Sequence, residues 1–131
     1  MLRIVDGKNM SQPIFRSFRR AWRGCLAVFQ TESNFRLQTL VAALVIVLLV
    51  LLPIAKTDRA ILLVATALVL VLELVNTAIE RVVDVLQPKW ASDVRDIKDM
   101  MAGAVLLASG VALFLGIFLL GPSLFNYMER L

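Results

Sequence analysis

Between Ala60 and Leu86 a long apolar run acquires carboxylates with no helix breaker in between. Residues 60–72 are almost wholly aliphatic, and the chain then reads Glu73-Leu-Val-Asn76-Thr-Ala-Ile-Glu80-Arg-Val-Val-Asp84. The polar side chains follow one another at steps of three, four and four residues. At about 100° per residue, Glu73, Asn76, Glu80 and Asp84 therefore fall on one narrow stripe of a helix. Val75, Ile79, Val82 and Val83 keep most of the remaining surface apolar. Lipid cannot solvate three acids and an amide, so such a stripe must face protein, water or metal.

The rest of the chain says that this helix lies in a membrane. Its 131 residues predict one domain, 1–131, and 60% of them are hydrophobic with a mean hydropathy of +0.82. A soluble chain this small has too little interior to hide that much apolar surface. Residues 37–55 form the first candidate span, with sixteen residues from Leu40 onward free of polar side chains and Pro53 near its end. Lys56-Thr-Asp-Arg59 reads as a very short turn, which sends the next helix (60–86, starting near Asp58) back antiparallel. Pro88 ends that helix, and residues 87–97 read as a polar connection with Trp90 as an interface anchor. A third span covers 98–121 and is closed by Pro122. Its small residues, Ala102, Gly103, Ala108, Ser109, Gly110, Ala112 and Gly116, suit close helix approach in lipid.

Ahead of the spans, residues 14–30 have a different pattern. Ile14, Phe15, Phe18, Trp22, Cys25, Leu26 and Phe29 recur at three- and four-residue steps, and Arg16, Arg19, Arg20 and Arg23 fall between them. That is an amphipathic helix suited to the membrane interface, with Pro13 in its first turn. Thr31 to Gln38 reads as the junction to the first span. The expected fold class is therefore an all-α integral membrane protein, one N-terminal surface helix followed by three transmembrane helices.

Residues 1–36 carry seven Lys/Arg against two acids, which places the N-terminus in the cytoplasm. The basic excess points to anionic lipid and gives no warrant for nucleic acid. With that orientation Glu32, Glu73, Asn76, Glu80, Lys98 and Asp99 all come to the cytoplasmic interface. The chain has no histidine and one cysteine, so any chemistry must work through carboxylates, amides, Lys and Arg, a set that suits a hard cation such as Mg²⁺. From the residues alone three readings stay open: a metal and phosphate site, ion or proton translocation, and structural packing between helices. There is no Gly-x-x-x-x-Gly-Lys loop, which excludes a P-loop kinase.

The twelve residues from Glu73 to Asp84 resemble the signature of the small bacterial integral-membrane diacylglycerol kinase family, which includes undecaprenol kinases. Phe18, Ala21 and Gly24, then Thr31-Glu32-x-Asn34-Phe35-Arg36, resemble that family's N-terminal region, and Lys98-Asp99-Met-x-Ala-Gly-Ala-Val the start of its third span. The resemblance covers about residues 15–120. It implies a homotrimer whose active sites combine groups from neighbouring subunits, in the bacterial cytoplasmic (inner) membrane with the site on the cytoplasmic side. It implies transfer of the γ-phosphate of MgATP to a membrane lipid alcohol. Carried over by motif, Glu73 is the base for the lipid hydroxyl, Glu32 and Glu80 hold Mg²⁺, Lys98 contacts the phosphates, and Asn76 and Asp99 order the site and nucleotide. A ligand-binding Arg of some members falls at Pro13 here, with Arg16 the nearest substitute. Asp84 has a plain alternative in pairing with Arg81 or Arg95. Trp22 leans toward diacylglycerol as substrate, whereas the stretches at Thr31–Phe35 and Ala102–Val105 look equally like undecaprenol-preferring relatives. Diacylglycerol is the expected acceptor, with undecaprenol as the alternative within the family. A non-enzymatic or ion-conducting membrane subunit is the alternative outside it.

Overall fold

A computed structural model describes residues 11–86 and 92–129 of the chain. It is all helical: α1 Ser11–Thr31, α2 Ser33–Leu51, α3 Lys56–Leu86 and α4 Ser92–Met128. Three of the four, α2, α3 and α4, are long and apolar enough to cross a membrane. The chain is a multi-pass inner-membrane protein with one further helix at its N-terminal end. Residues 87–91 of the polar connection, Trp90 among them, lie outside the described residues, and residues 92–97, expected to belong to it, are already the start of α4.

The junction between surface helix and first span is shorter than the sequence reading allowed. Helix is broken at Glu32 alone, whose backbone is extended (φ −106°, ψ 116°). The hydroxyl of Thr31 donates back to the Ala27 carbonyl at 3.0 Å, closing the last turn of α1. α2 then starts at Ser33 rather than Leu37. Along α1 the aromatic side chains Phe15, Phe18 and Trp22 are exposed, and among the described side chains only Val28, near the helix end, is buried. An amphipathic helix whose aromatic face no protein covers is suited to the lipid interface.

The reversal after α2 also moves. Pro53 disfavours helical backbone in the residue before it, and Leu52 is extended (φ −91°, ψ 144°) as that rule requires. The turn is therefore residues 52–55, and the sequence expected to form it, Lys56-Thr-Asp-Arg59, is instead the first turn of α3. Asp58 there places a negative charge at the positive end of the helix dipole. Leu49, Leu52, Ile54, Leu62 and Leu120 bury one another around this turn, tying the ends of α2 and α4 to the start of α3.

α4 differs most. Pro122 was expected to close the third span, yet the helix continues through it to Met128. Proline removes one backbone donor, a loss confined to a single turn, and helices in membranes tolerate it. The small-residue stripe of α4 lies partly against the rest of the chain: Ala108, Ser109, Ala112 and Gly116 are half-buried, whereas Ala102 and Gly110 are exposed. A Cβ added at Gly103, Gly110 or Gly116 would meet nothing within 4 Å.

Helix lengths position the polar stripe. The 19 residues of α2 are about 28 Å long, which matches the roughly 30 Å hydrocarbon core. α3 has 31 residues and α4 has 37, about 46 and 55 Å. The tight turn fixes where α3 enters, so its surplus length emerges at the other end, beyond about residue 76.

Candidate functional site

α3 is inverted relative to a soluble amphipathic helix. In its second half the buried side chains are polar, with Glu73 4% exposed, Asn76 9% and Thr77 3%, while Val75, Val82 and Val85 are exposed. A carboxylate this buried must be hydrogen-bonded. Its partner is on the neighbouring helix, where Gln38 Nε2 of α2 donates to Glu73 Oε2 at 3.2 Å. One turn further along α3, Asn76 Nδ2 donates to Glu80 Oε1 at 3.1 Å, the i,i+4 contact that the stripe's spacing dictates.

Glu32 is brought to the same end of the bundle by its place at the α1–α2 break. Arg81, adjacent to Glu80, reaches across to it: Arg81 Nη2 donates to Thr31 Oγ1 at 2.7 Å and lies 3.7 Å from Glu32 Oε1. The Thr31 hydroxyl is also 3.3 Å from that Glu32 oxygen. Asp84 pairs with neither Arg81 nor Arg95. Its carboxylate takes the Lys98 ammonium at 2.6 Å, joining the end of α3 to the first turns of α4. Asp99 is exposed beside it. Arg16 is exposed on α1, about 24 Å of helix upstream of Glu32.

The structure thus gathers Glu32, Glu73, Asn76, Glu80 and Lys98 toward the end of the bundle where α3 leaves the hydrocarbon. Two buried acceptors there, Gln38 Oε1 and Asn76 Oδ1, have no hydrogen-bond partner. Two participants, Gln38 and Thr77, were not singled out from the sequence, and Arg81, expected as a partner of Asp84, instead reaches Thr31 and Glu32. A polar amide at the head of an otherwise apolar α2 was the visible signal for Gln38, and Thr77 lies one turn from Glu73.

The donor set fits a hard divalent cation. It consists of carboxylate and amide oxygens, and the free Asn76 Oδ1 beside Glu80 adds an acceptor. Among the described residues no three acids or cysteines converge on one point. Mg²⁺ does not require such a cage, because one or two carboxylates commonly share it with phosphate oxygens and water.

Membership of a class of enzymes follows from comparison with known proteins. The chain belongs to the prokaryotic diacylglycerol kinase family, whose model matches residues 19–120. These are lipid kinases, phosphotransferases acting on a membrane-lipid alcohol. Among individual relatives, the chain is 42% identical over 113 residues to a diacylglycerol kinase of Synechocystis sp., covering 86% of this chain and 65% of that relative, just under two thirds of its length. It is 30% identical over 119 residues to an undecaprenol kinase of Bacillus subtilis, covering 91% of this chain and 97% of the relative. It is 31% identical over 99 residues to a diacylglycerol kinase of Escherichia coli, covering 76% and 81%.

Proposed function

We propose that this chain transfers the γ-phosphate of MgATP to the hydroxyl of diacylglycerol, giving phosphatidic acid. The observation that carries the reading is the buried Glu73 carboxylate, held by Gln38 one helical turn from the Asn76–Glu80 pair. In this reading the lipid hydroxyl gives its proton to Glu73 as its oxygen attacks the γ-phosphorus, and ADP leaves with the bridging oxygen. Burial excludes water from that carboxylate and so disfavours hydrolysis of ATP over transfer. Glu32 and Glu80 would hold Mg²⁺, and the ion when bound supplies charge neutralisation at the phosphate oxygens. Lys98 exchanges Asp84 for a phosphate oxygen, Asn76 keeps Glu80 in place, and Asp99 and Arg16 contact the nucleotide.

Assembly is part of the proposal. Gly110 of α4 is exposed, with open space where a Cβ would stand. That surface suits close approach by a second copy, in a homotrimer whose sites are shared between subunits, with the N-terminus and the sites on the cytoplasmic side. Undecaprenol is the second reading for the acceptor, favoured by the near-complete coverage of the Bacillus subtilis undecaprenol kinase. Diacylglycerol is supported by the higher identity to the Synechocystis enzyme. Purified protein in mixed micelles with MgATP labelled at the γ-phosphate tests the reaction: label should enter organic-extractable product. No labelled lipid across a panel of lipid alcohols would refute it.

A further inference from the structure

We infer that Gln38 is a positioning residue for phosphoryl transfer, its carboxamide orienting the Glu73 carboxylate before the reaction and accepting its proton's hydrogen bond afterwards. The inference rests on the lipid-kinase reading above. Gln38 comes from α2 and Glu73 from α3, and the 3.2 Å contact between Nε2 and Oε2 is the hydrogen bond the structure gives to the Glu73 side chain. The other end of the same amide, Oε1, is buried without a partner. A stranded buried acceptor is destabilising and needs a reason.

The chemistry of the pair supplies one. An ionised carboxylate only accepts, whereas a protonated one also donates, and a carboxamide carries both a donor and an acceptor on one rotatable group. Before transfer, Gln38 Nε2 donates to ionised Glu73. During transfer the lipid O–H bond breaks and its proton passes to Glu73. The lipid oxygen bonds to the γ-phosphorus, and the bond from phosphorus to the ADP oxygen breaks with its electron pair going to ADP. Half a turn of the amide about its last torsion then presents Oε1 to the new carboxylic O–H. The stranded acceptor gains its donor in the protonated state, and the proton later leaves to water. Gln38 also lines a cleft of about 640 Å³ between α2, α3 and α4, otherwise walled mainly by aliphatic side chains such as Val41, Val45, Val69 and Leu113. The amide therefore stands between that apolar cleft and the reacting carboxylate.

Gln38→Met tests this, because methionine keeps the length of the side chain and is compatible with lipid while removing both polar atoms. With Thr57→Val, an exposed position at the opposite end of α3, as a control, kcat and KM for ATP are measured in lipid micelles, and thermal unfolding is followed by circular dichroism. The expected result is a fall in kcat of roughly 10- to 100-fold for Gln38→Met, with KM for ATP within about twofold and unfolding close to that of the parent. Thr57→Val should keep parental kcat. Parental kcat in Gln38→Met, or a raised KM for ATP with kcat intact, would overturn the inference and leave the kinase reading standing. If Gln38→Met unfolds early, Gln38→Leu in the same assay carries the same two outcomes. A parent protein that phosphorylates no lipid would overturn both together.

Discussion

Lys98 Nζ lies 2.6 Å from Asp84 Oδ1, so an ion pair joins the first turns of α4 to the end of α3. Both side chains are about a third exposed, which limits the pair's worth to about 0–1 kcal/mol. A contact this weak can be exchanged for a phosphate oxygen carrying more charge. It also means that Lys98 is aimed at the polar stripe before any nucleotide arrives.

Removing the two partners should therefore have different consequences. Asp84→Asn frees Lys98 and is expected to shift unfolding by no more than about 1 kcal/mol, with KM for MgATP equal to or below that of the parent. Lys98→Met removes the cation and should lower kcat/KM for ATP by about 100-fold or more, in line with loss of a charged group from a phosphoryl-transfer site. Steady-state kinetics in micelles with varied MgATP, alongside thermal unfolding, read both. Equal losses in the two variants would make the pair structural.

Glu80→Gln keeps size, helix propensity and the ability to accept from Asn76, and deletes only charge. Turnover should fall by about two orders of magnitude or more, with helix content unchanged by circular dichroism. The Mg²⁺ concentration for half-maximal activity should rise, and chelator should abolish what remains. Parental Mg²⁺ dependence in this variant would remove Glu80 from the metal site.

Gly110 is exposed on α4, with open space around the position where a Cβ would stand. Gly110→Leu therefore costs the isolated chain little, and its effect reports on what covers α4 in the proposed trimer. Expected is retention of helix content with loss of the trimer in native mass measurements in mild detergent, and loss of activity with it. A fully active trimeric Gly110→Leu would place the subunit contact on another face.

The number and order of helices were legible because membrane spans depend on length and apolarity, which hydropathy reads directly. The face shared by Glu73, Asn76, Glu80 and Asp84 was legible for the same reason that helical spacing is regular. Three features were not. Pro53 and Pro122 look alike in sequence, yet one ends a helix and the other lies within one. What separates them is the chain reversal held by the cluster around Leu52 and Ile54, a tertiary fact. The partner of Asp84 could not be chosen among nearby cations, because Lys98 reaches it only once α4 packs on α3. Gln38 is 35 residues from Glu73, and no periodicity connects two helices that far apart.

The lipid acceptor gives the last prediction. A tail is held by apolar contacts, and one methylene more or less is worth only about 1 kcal/mol, so a glycerolipid and a polyprenol are not separated by composition. The hydroxyl end is different, since in the proposed reaction it must reach Glu73 past Gln38 whichever tail follows it. Discrimination should therefore reside in the cleft and appear mainly in KM for the lipid, with kcat similar for acceptors that reach the carboxylate. Diacylglycerol and undecaprenol presented at equal mole fraction in the same micelles should give a higher kcat/KM for diacylglycerol. Replacing Val69 or Leu113 on the cleft wall by Ala should change that ratio while leaving KM for ATP unaltered. A clear preference for undecaprenol would reverse the acceptor assignment without touching the chemistry at Glu73.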